Sequence, residues 1–156
     1  MAASAWKVVG RAKRSIGRGS FTLHTGVFRM ALHRNSASAN LSQARSIGGV
    51  SIWSSVTGQI SVRGGYQSSG RSIPGFAWST GPTNSTLKFY YTTTGIIFTA
   101  SGSDLNNIRY AVIRNSTGAG DGLILCYAAL STAQFSITSP NTLTILPATN
   151  GVFTLV

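Results

Sequence analysis

The chain has 156 residues, enough for one domain with its own core. It carries thirteen Lys and Arg against two carboxylates, Asp104 and Asp121, for a net charge of +11. General acid/base pairs, glycosidase dyads and hard-metal sites all need clustered Asp or Glu, so a carboxylate-driven enzyme is close to excluded.

A hydrophobic content of 42% argues against wholesale disorder, while only 10% of residues are charged, well below the roughly 25% usual in globular domains. A monomer with so little surface charge is poorly protected against association, and burying its surface in an assembly would resolve that. The positive balance points to an anionic partner: nucleic acid, a membrane surface or an acidic protein. Met1 to Trp6 lead directly into basic residues, without the apolar core of a secretory signal. No stretch approaches the roughly 18 apolar residues of a membrane span. The expectation is a soluble chain made in the cytoplasm, with no membrane partner.

In chain order, residues 5–17 read as a short helix. Ala5, Val8, Val9, Ala12 and Ile16 recur at helical spacing, and Gly17 and Gly19 supply the stop. Lys7, Arg11, Lys13, Arg14 and Arg18 fall in this segment, largely away from the apolar stripe. Residues 1–19 are therefore taken as a basic helical element and 20–156 as a single β domain.

From Ser20 the pattern turns to β. Alternation over Val27 to His33 sets Val27, Arg29, Ala31 and His33 on one face and Phe28, Met30 and Leu32 on the other, a half-buried strand. The Ser-, Asn- and Ala-rich stretch 35–48 reads as a surface loop. Strands are predicted near 49–54, 57–63, 72–79, 86–91, 94–100, 107–114, 122–129, 133–138, 141–146 and 151–156, separated by Gly, Pro and Asn turn signals. Many short strands with turns every eight to twelve positions predict an all-β, antiparallel, jelly-roll-like sandwich.

Each candidate for chemistry lacks partners. His24 and His33 are the only histidines, and no nucleophile-elbow pattern joins them to a serine and to Asp104 or Asp121. They read as strand or turn histidines on a polar surface. One cysteine, Cys126, lies in an apolar run and reads as a buried thiol; one Cys and two His make no metal site. The glycine-rich stretches 64–70 and 118–122 match neither a phosphate-binding loop nor a dinucleotide fingerprint and read as turns. No catalytic residue, metal or cofactor is assigned. The aromatics Trp53, Phe76, Trp78, Phe89, Tyr90, Tyr91 and Phe98 fall in predicted strands and are mostly needed for the core. Because Tyr90 and Tyr91 are adjacent, one of the two rings faces outward, and both are kept as candidate contacts beside the five basic residues.

Several segments resemble small structural proteins of tailed bacteriophages. Phe28-Arg29-Met30-Ala31-Leu32 is similar to their "Phe-Lys-Met-Ala-Leu" strand, and Ala12-Lys13 to Gly19 to the segment that precedes it. Gly65-Tyr66-Gln67-Ser68-Ser69-Gly70 resembles their "Gly-Tyr-x-x-Gly-Gly" turn. The runs Phe98 to Gly102, Ile108 to Thr117, Leu123 to Tyr127, Asn141 to Ile145 and Gly151 to Leu155 complete the likeness. Most of the chain is covered by strand and turn patterns, though the near absence of carboxylates departs from that group.

The resemblance implies a non-enzymatic virion component, with capsid decoration or cement as the natural role. The expected partner is the major capsid protein, bound by a homo-oligomer on the capsid surface. Lys7, Arg11, Lys13, Arg14 and Arg18 would meet its carboxylates, a pairing that sets specificity and on-rate more than affinity. Two alternatives stand beside it: a minor tail, neck or fibre-associated subunit, and a small viral coat protein whose basic N-terminus binds nucleic acid with steep salt dependence.

Overall fold

The computed structural model describes residues 4–19, 23, 26–46, 52–75, 77–80, 87–90, 95–116, 122–147 and 151–155. For 77–80, 87–90 and 153–155 it describes the backbone. The chain is mostly β, its sheets are antiparallel, and its helices are few and short.

The largest sheet has five strands in the order β1 (Lys7–Val8), β9 (Ile124–Ala129), β8 (Tyr110–Asn115), β2 (Phe28–His33) and β3 (Arg71–Ile73). Three smaller sheets pair β7 (Leu105–Ile108) with β10 (Phe135–Ile137), β6 (Ile96–Thr99) with β11 (Thr142–Ile145), and β4 (Ala77–Thr80) and β12 (Phe153–Leu155) with β5 (Leu87–Tyr90). Two helices complete the elements, α1 (Gly10–Gly17) and α2 (Ser38–Gln43), with 3-10 turns at Asn35–Ala37 and Trp53–Ser55.

The β2–β8 ladder runs unbroken from Phe28 opposite Asn115 to His33 opposite Tyr110. Its residues are buried from both sides. Phe28, Met30, Leu32 and Ile113 are fully enclosed on one face, and Ala31, His33 and Val112 on the other. The expected half-buried strand is thus a central one, and Ala31 and His33 do not face a polar surface. Each large apolar side chain enclosed here contributes about 1.5–3 kcal/mol, so this ladder is the energetic centre of the fold. A bulge between Ile113 and Arg114 shifts the pairing with β9 from Cys126 to Ile124.

Three other expectations change. Residues 7–8 are strand rather than helix, because the main chain at Lys7 and Val8 pairs with Tyr127 and Cys126 and closes the sheet edge. A two-residue edge carrying a lysine is a common defence against edge-to-edge association. The predicted loop at 35–48 contains α2, whose Ala37, Leu41 and Ala44 follow i, i+4, i+7 spacing and are all buried. The strands expected at 49–54 and 57–63 are single bridges, Ile52 to Leu123 and His33 to Gln59, with Trp53 on a 3-10 turn between them.

Tyr66 links the segment after those bridges to the sheet. Its hydroxyl accepts the Leu32 N–H at 3.1 Å and a Gln59 amide hydrogen at 2.7 Å, and its ring lies 6.1 Å from that of Phe98. A strand donor left open beyond β3 is satisfied by a side chain instead of a neighbouring strand.

α1 docks on the end of α2 through Gly10, whose N–H donates to the Ala44 carbonyl at 3.0 Å. A β-carbon there would sit 2.6 Å from the carbonyl carbon and oxygen of Ser46, both backbone atoms that cannot rotate away. In an open helix, Gly→Ala gains up to about 1 kcal/mol. At this contact Gly10→Ala is expected to cost about 1–3 kcal/mol through forced separation of the helices. Urea denaturation of the variant checks this, and a stabilised variant would contradict the contact.

Candidate functional site

α1 is a helix that tertiary contacts must hold, since little in its sequence favours it locally. It has eight residues, no side-chain cap from Val9, and no acidic residue in its first turn, where Arg11 and Lys13 oppose the helix dipole. Its attachment comes from Val9 and Ala12, which are fully buried, with Ile16 partly buried against the same core. At 100° per residue, Arg11, Arg14 and Arg18 fall within about 60° of one another, on the side turned away from Ala12 and Ile16. Lys13 lies on a flank, about 100° from Arg14. All four side chains are exposed, and so is Lys7 on the edge strand β1.

The structure therefore gathers Arg11, Arg14 and Arg18 into one row, with Lys13 beside it and Lys7 on the preceding strand. Tyr90 closes β5 opposite Ala77, where the description is of backbone, and Tyr91 lies outside the described residues. The tyrosines are not brought together with the basic set.

The arginines of the β region behave differently. Arg29 and Arg114 are directly opposite across β2 and β8, an arrangement of like charges that is unfavourable by itself. Both guanidinium groups turn onto the same loop, Arg29 donating to the Gly70 carbonyl at 3.2 Å and Arg114 to the Ser69 carbonyl at 3.3 Å. Gly70 has φ +73° and packs so closely on the Met30 carbonyl that only glycine fits, which fixes these acceptors in place. Arg71 donates to the Ile97 carbonyl at 3.1 Å, Arg34 to the Ser61 hydroxyl at 2.6 Å, and Arg109 to the Asn35 side-chain oxygen. Five cations thus meet neutral oxygens. Arg45 and Arg63 are exposed.

Trp53 joins two of the buried features. The Arg114 guanidinium lies 4.6 Å from its ring centre, and the His33 ring meets it edge-on at 5.1 Å and 87°. Sequence reading assigned Trp53 to a strand core and treated His33 as a surface histidine. The spacing of His33 within a strand whose neighbours Ala31 and Leu32 are apolar is the signal that could have indicated its burial.

His33 is fully enclosed. Its Nδ1 lies 3.3 Å from the Thr57 carbonyl, which only accepts, so the bond requires the proton on Nδ1. Nε2 has no hydrogen-bond partner among the described residues. Asp104 accepts the Ser139 N–H at 2.9 Å and is turned to the chain rather than to a histidine. Burial pushes the Cys126 thiol well up from its usual range, leaving it protonated and unreactive. His24 and Asp121 lie outside the described residues. Among the described residues no three His, Cys, Asp or Glu side chains come together to hold a metal ion. No described helix is long and apolar enough to cross a membrane.

Comparison of the chain with protein-family models, with curated proteins and with solved structures finds no match.

Desolvation lowers the His33 pKa from about 6.5 to about 4, against a smaller opposing effect of the Thr57 bond. The unfolded imidazole takes up its proton near pH 6.5 while the buried one resists until about pH 4, so the unfolded chain binds more protons across that window. Stability is complete above pH 6.5 and falls as pH drops toward 4, by about 3 kcal/mol at about 1.36 kcal/mol per unit. With only two carboxylates in the chain, this one histidine dominates acid sensitivity. Thermal melts from pH 7 to 4 should show this decline, and His33→Leu should flatten it. An unchanged slope in the variant would refute the assignment.

Proposed function

We propose that this chain is a non-enzymatic structural protein of a tailed-phage virion. Its antiparallel sheets stack as a jelly-roll-like sandwich, and it acts as a capsid decoration or cement protein. A homo-oligomer binds the major capsid lattice, bridges neighbouring capsomers and opposes expansion of the shell as packaged DNA presses on it.

The observation that carries this reading is the exposed basic face of α1, fixed to the core through Val9, Ala12 and the Gly10 contact. A charged face held in a defined orientation is suited to meeting a fixed surface. Rim charges of this kind speed and orient docking, while affinity comes from apolar and aromatic contacts at the centre of an interface. The residue patterns shared with small phage structural proteins support the same reading.

The same face bears on the alternative of a nucleic-acid-binding coat protein. A loose basic arm follows a flexible polyanion, but this segment has a buried side and a fixed geometry. The placement within the virion, head against tail or neck, turns on copy number.

Quantitative mass spectrometry of purified virions encoded by the same genome tests the proposal. A ratio to the major capsid protein near one, or a simple fraction of it, is expected. A handful of copies per particle would move the protein to the neck or tail, and absence would overturn the structural role.

A further inference from the structure

We infer that Arg11, Arg14 and Arg18 form a single docking row for an acidic helix on a protein partner, and that Lys7 and Lys13 lie outside it. The inference rests on the shell-binding reading and narrows it from five basic residues to three.

The geometry is that of α1 itself. The three arginines follow i, i+3, i+7 spacing, so the row spans about 10 Å and two helical turns. It faces away from Ala12 and Ile16, which attach the helix to the core, and all three side chains are exposed. Arg14 and Arg18 make no side-chain hydrogen bond or ion pair among the described residues. Elsewhere in the chain Arg29, Arg34, Arg71, Arg109 and Arg114 each turn onto a neutral oxygen. The row therefore differs from the remaining arginines in its contacts as well as in its position.

The row also works against its own helix. Like charges three and four residues apart destabilise a helix, and a cation in the first turn opposes its dipole. Nothing in the fold gains from that arrangement. Violations of local rules that have no local compensation mark positions kept for a partner.

Charge complementarity specifies that partner. Arginine presents a planar fork that binds carboxylates bidentately. A partner helix with Glu or Asp at i, i+3 or i+4, and i+7 repeats at the same interval and matches the row group for group. Duplex nucleic acid fits less well, because its binding draws on a longer basic track, with roughly six to ten phosphate contacts in strong cases. Here the sheet arginines are turned inward to carbonyls and do not extend the row, and no aromatic side chain stands on the exposed side of α1 between the arginines.

The test uses the full chain and three probes at low salt: a helical peptide with glutamates at i, i+4 and i+7, a scrambled peptide of the same composition, and a 20-base-pair DNA duplex. The unmodified chain is expected to bind the ordered peptide roughly tenfold more tightly than the scrambled one, the sum of three modest ion pairs. Arg11→Gln/Arg14→Gln/Arg18→Gln should abolish that preference, and Lys7→Gln/Lys13→Gln should retain it. Circular dichroism and melting temperature of each variant verify folding. Equal binding of the two peptides, equal loss in the lysine variant, or tighter binding of the duplex would overturn the row. The shell reading is tested separately by copy number on virions: presence there without an ordered-peptide preference sinks the row alone, and absence with the preference intact sinks the shell role alone.

Discussion

Guanidinium groups with no carboxylate to meet are the constraint around which this molecule is organised. In most domains an arginine on a sheet finds an Asp or Glu nearby; here Asp104 is the one acidic side chain among the described residues, and it is occupied by the Ser139 N–H. The sheet arginines take the next strongest acceptors, backbone carbonyls and neutral side-chain oxygens. A hydrogen bond from a charged donor is worth more than a neutral one. Each such bond also ties a loop to a strand. Arg29 and Arg114 secure the turn ending at Gly70, Arg71 reaches the Ile97 carbonyl of β6, Arg34 holds Ser61, and Arg109 holds Asn35 at the start of the 3-10 turn. What would be a repulsive surface becomes a set of loop fasteners.

The central ladder makes that arrangement durable. The β2–β8 pair is enclosed on both faces, so the register that sets Arg29 opposite Arg114 is fixed by Phe28, Met30, Leu32 and Ile113. A slip of one residue would exchange the two faces of the strand and expose the apolar set. The same enclosure takes His33 out of water, with Trp53 covering it and Arg114 stacked on the indole. α1 is the contrasting case. Its cations are not folded back, its first turn is electrostatically unfavourable, and its stability is borrowed from Val9, Ala12 and the close approach at Gly10. The molecule thus has two populations of basic residues, one serving the fold and one facing outward.

The β character was legible because period-2 alternation and turn signals survive in single segments: β2, β6, β9 and β11 fall within or next to the predicted spans. The helical end of the basic segment was legible from Ala12 and Ile16. The strand at Lys7–Val8 was not, because pairing with β9 overrides the helical spacing of Val8 and Val9, and nothing local indicates a partner some 120 residues away. α2 was hidden by serine and asparagine, although Ala37, Leu41 and Ala44 carry a short helical stripe. For the candidate site, composition located the five basic residues but not the separation of Arg11, Arg14 and Arg18 from Lys7 and Lys13, which depends on where the helix begins. The carbonyl-bound arginines were invisible in sequence, since the acceptors are main-chain atoms whose position only the fold decides.

The division of the arginines is measured most directly by thermal denaturation of single Arg→Gln variants at fixed pH and salt. Arg29→Gln and Arg114→Gln are predicted to lower Tm by roughly 2–4 °C each, the equivalent of about 1 kcal/mol in a chain of this size. Arg14→Gln and Arg18→Gln should leave Tm unchanged or raise it as repulsion along α1 is relieved. Losses of similar size at all four positions would contradict the account, because the outward row would then be serving the fold.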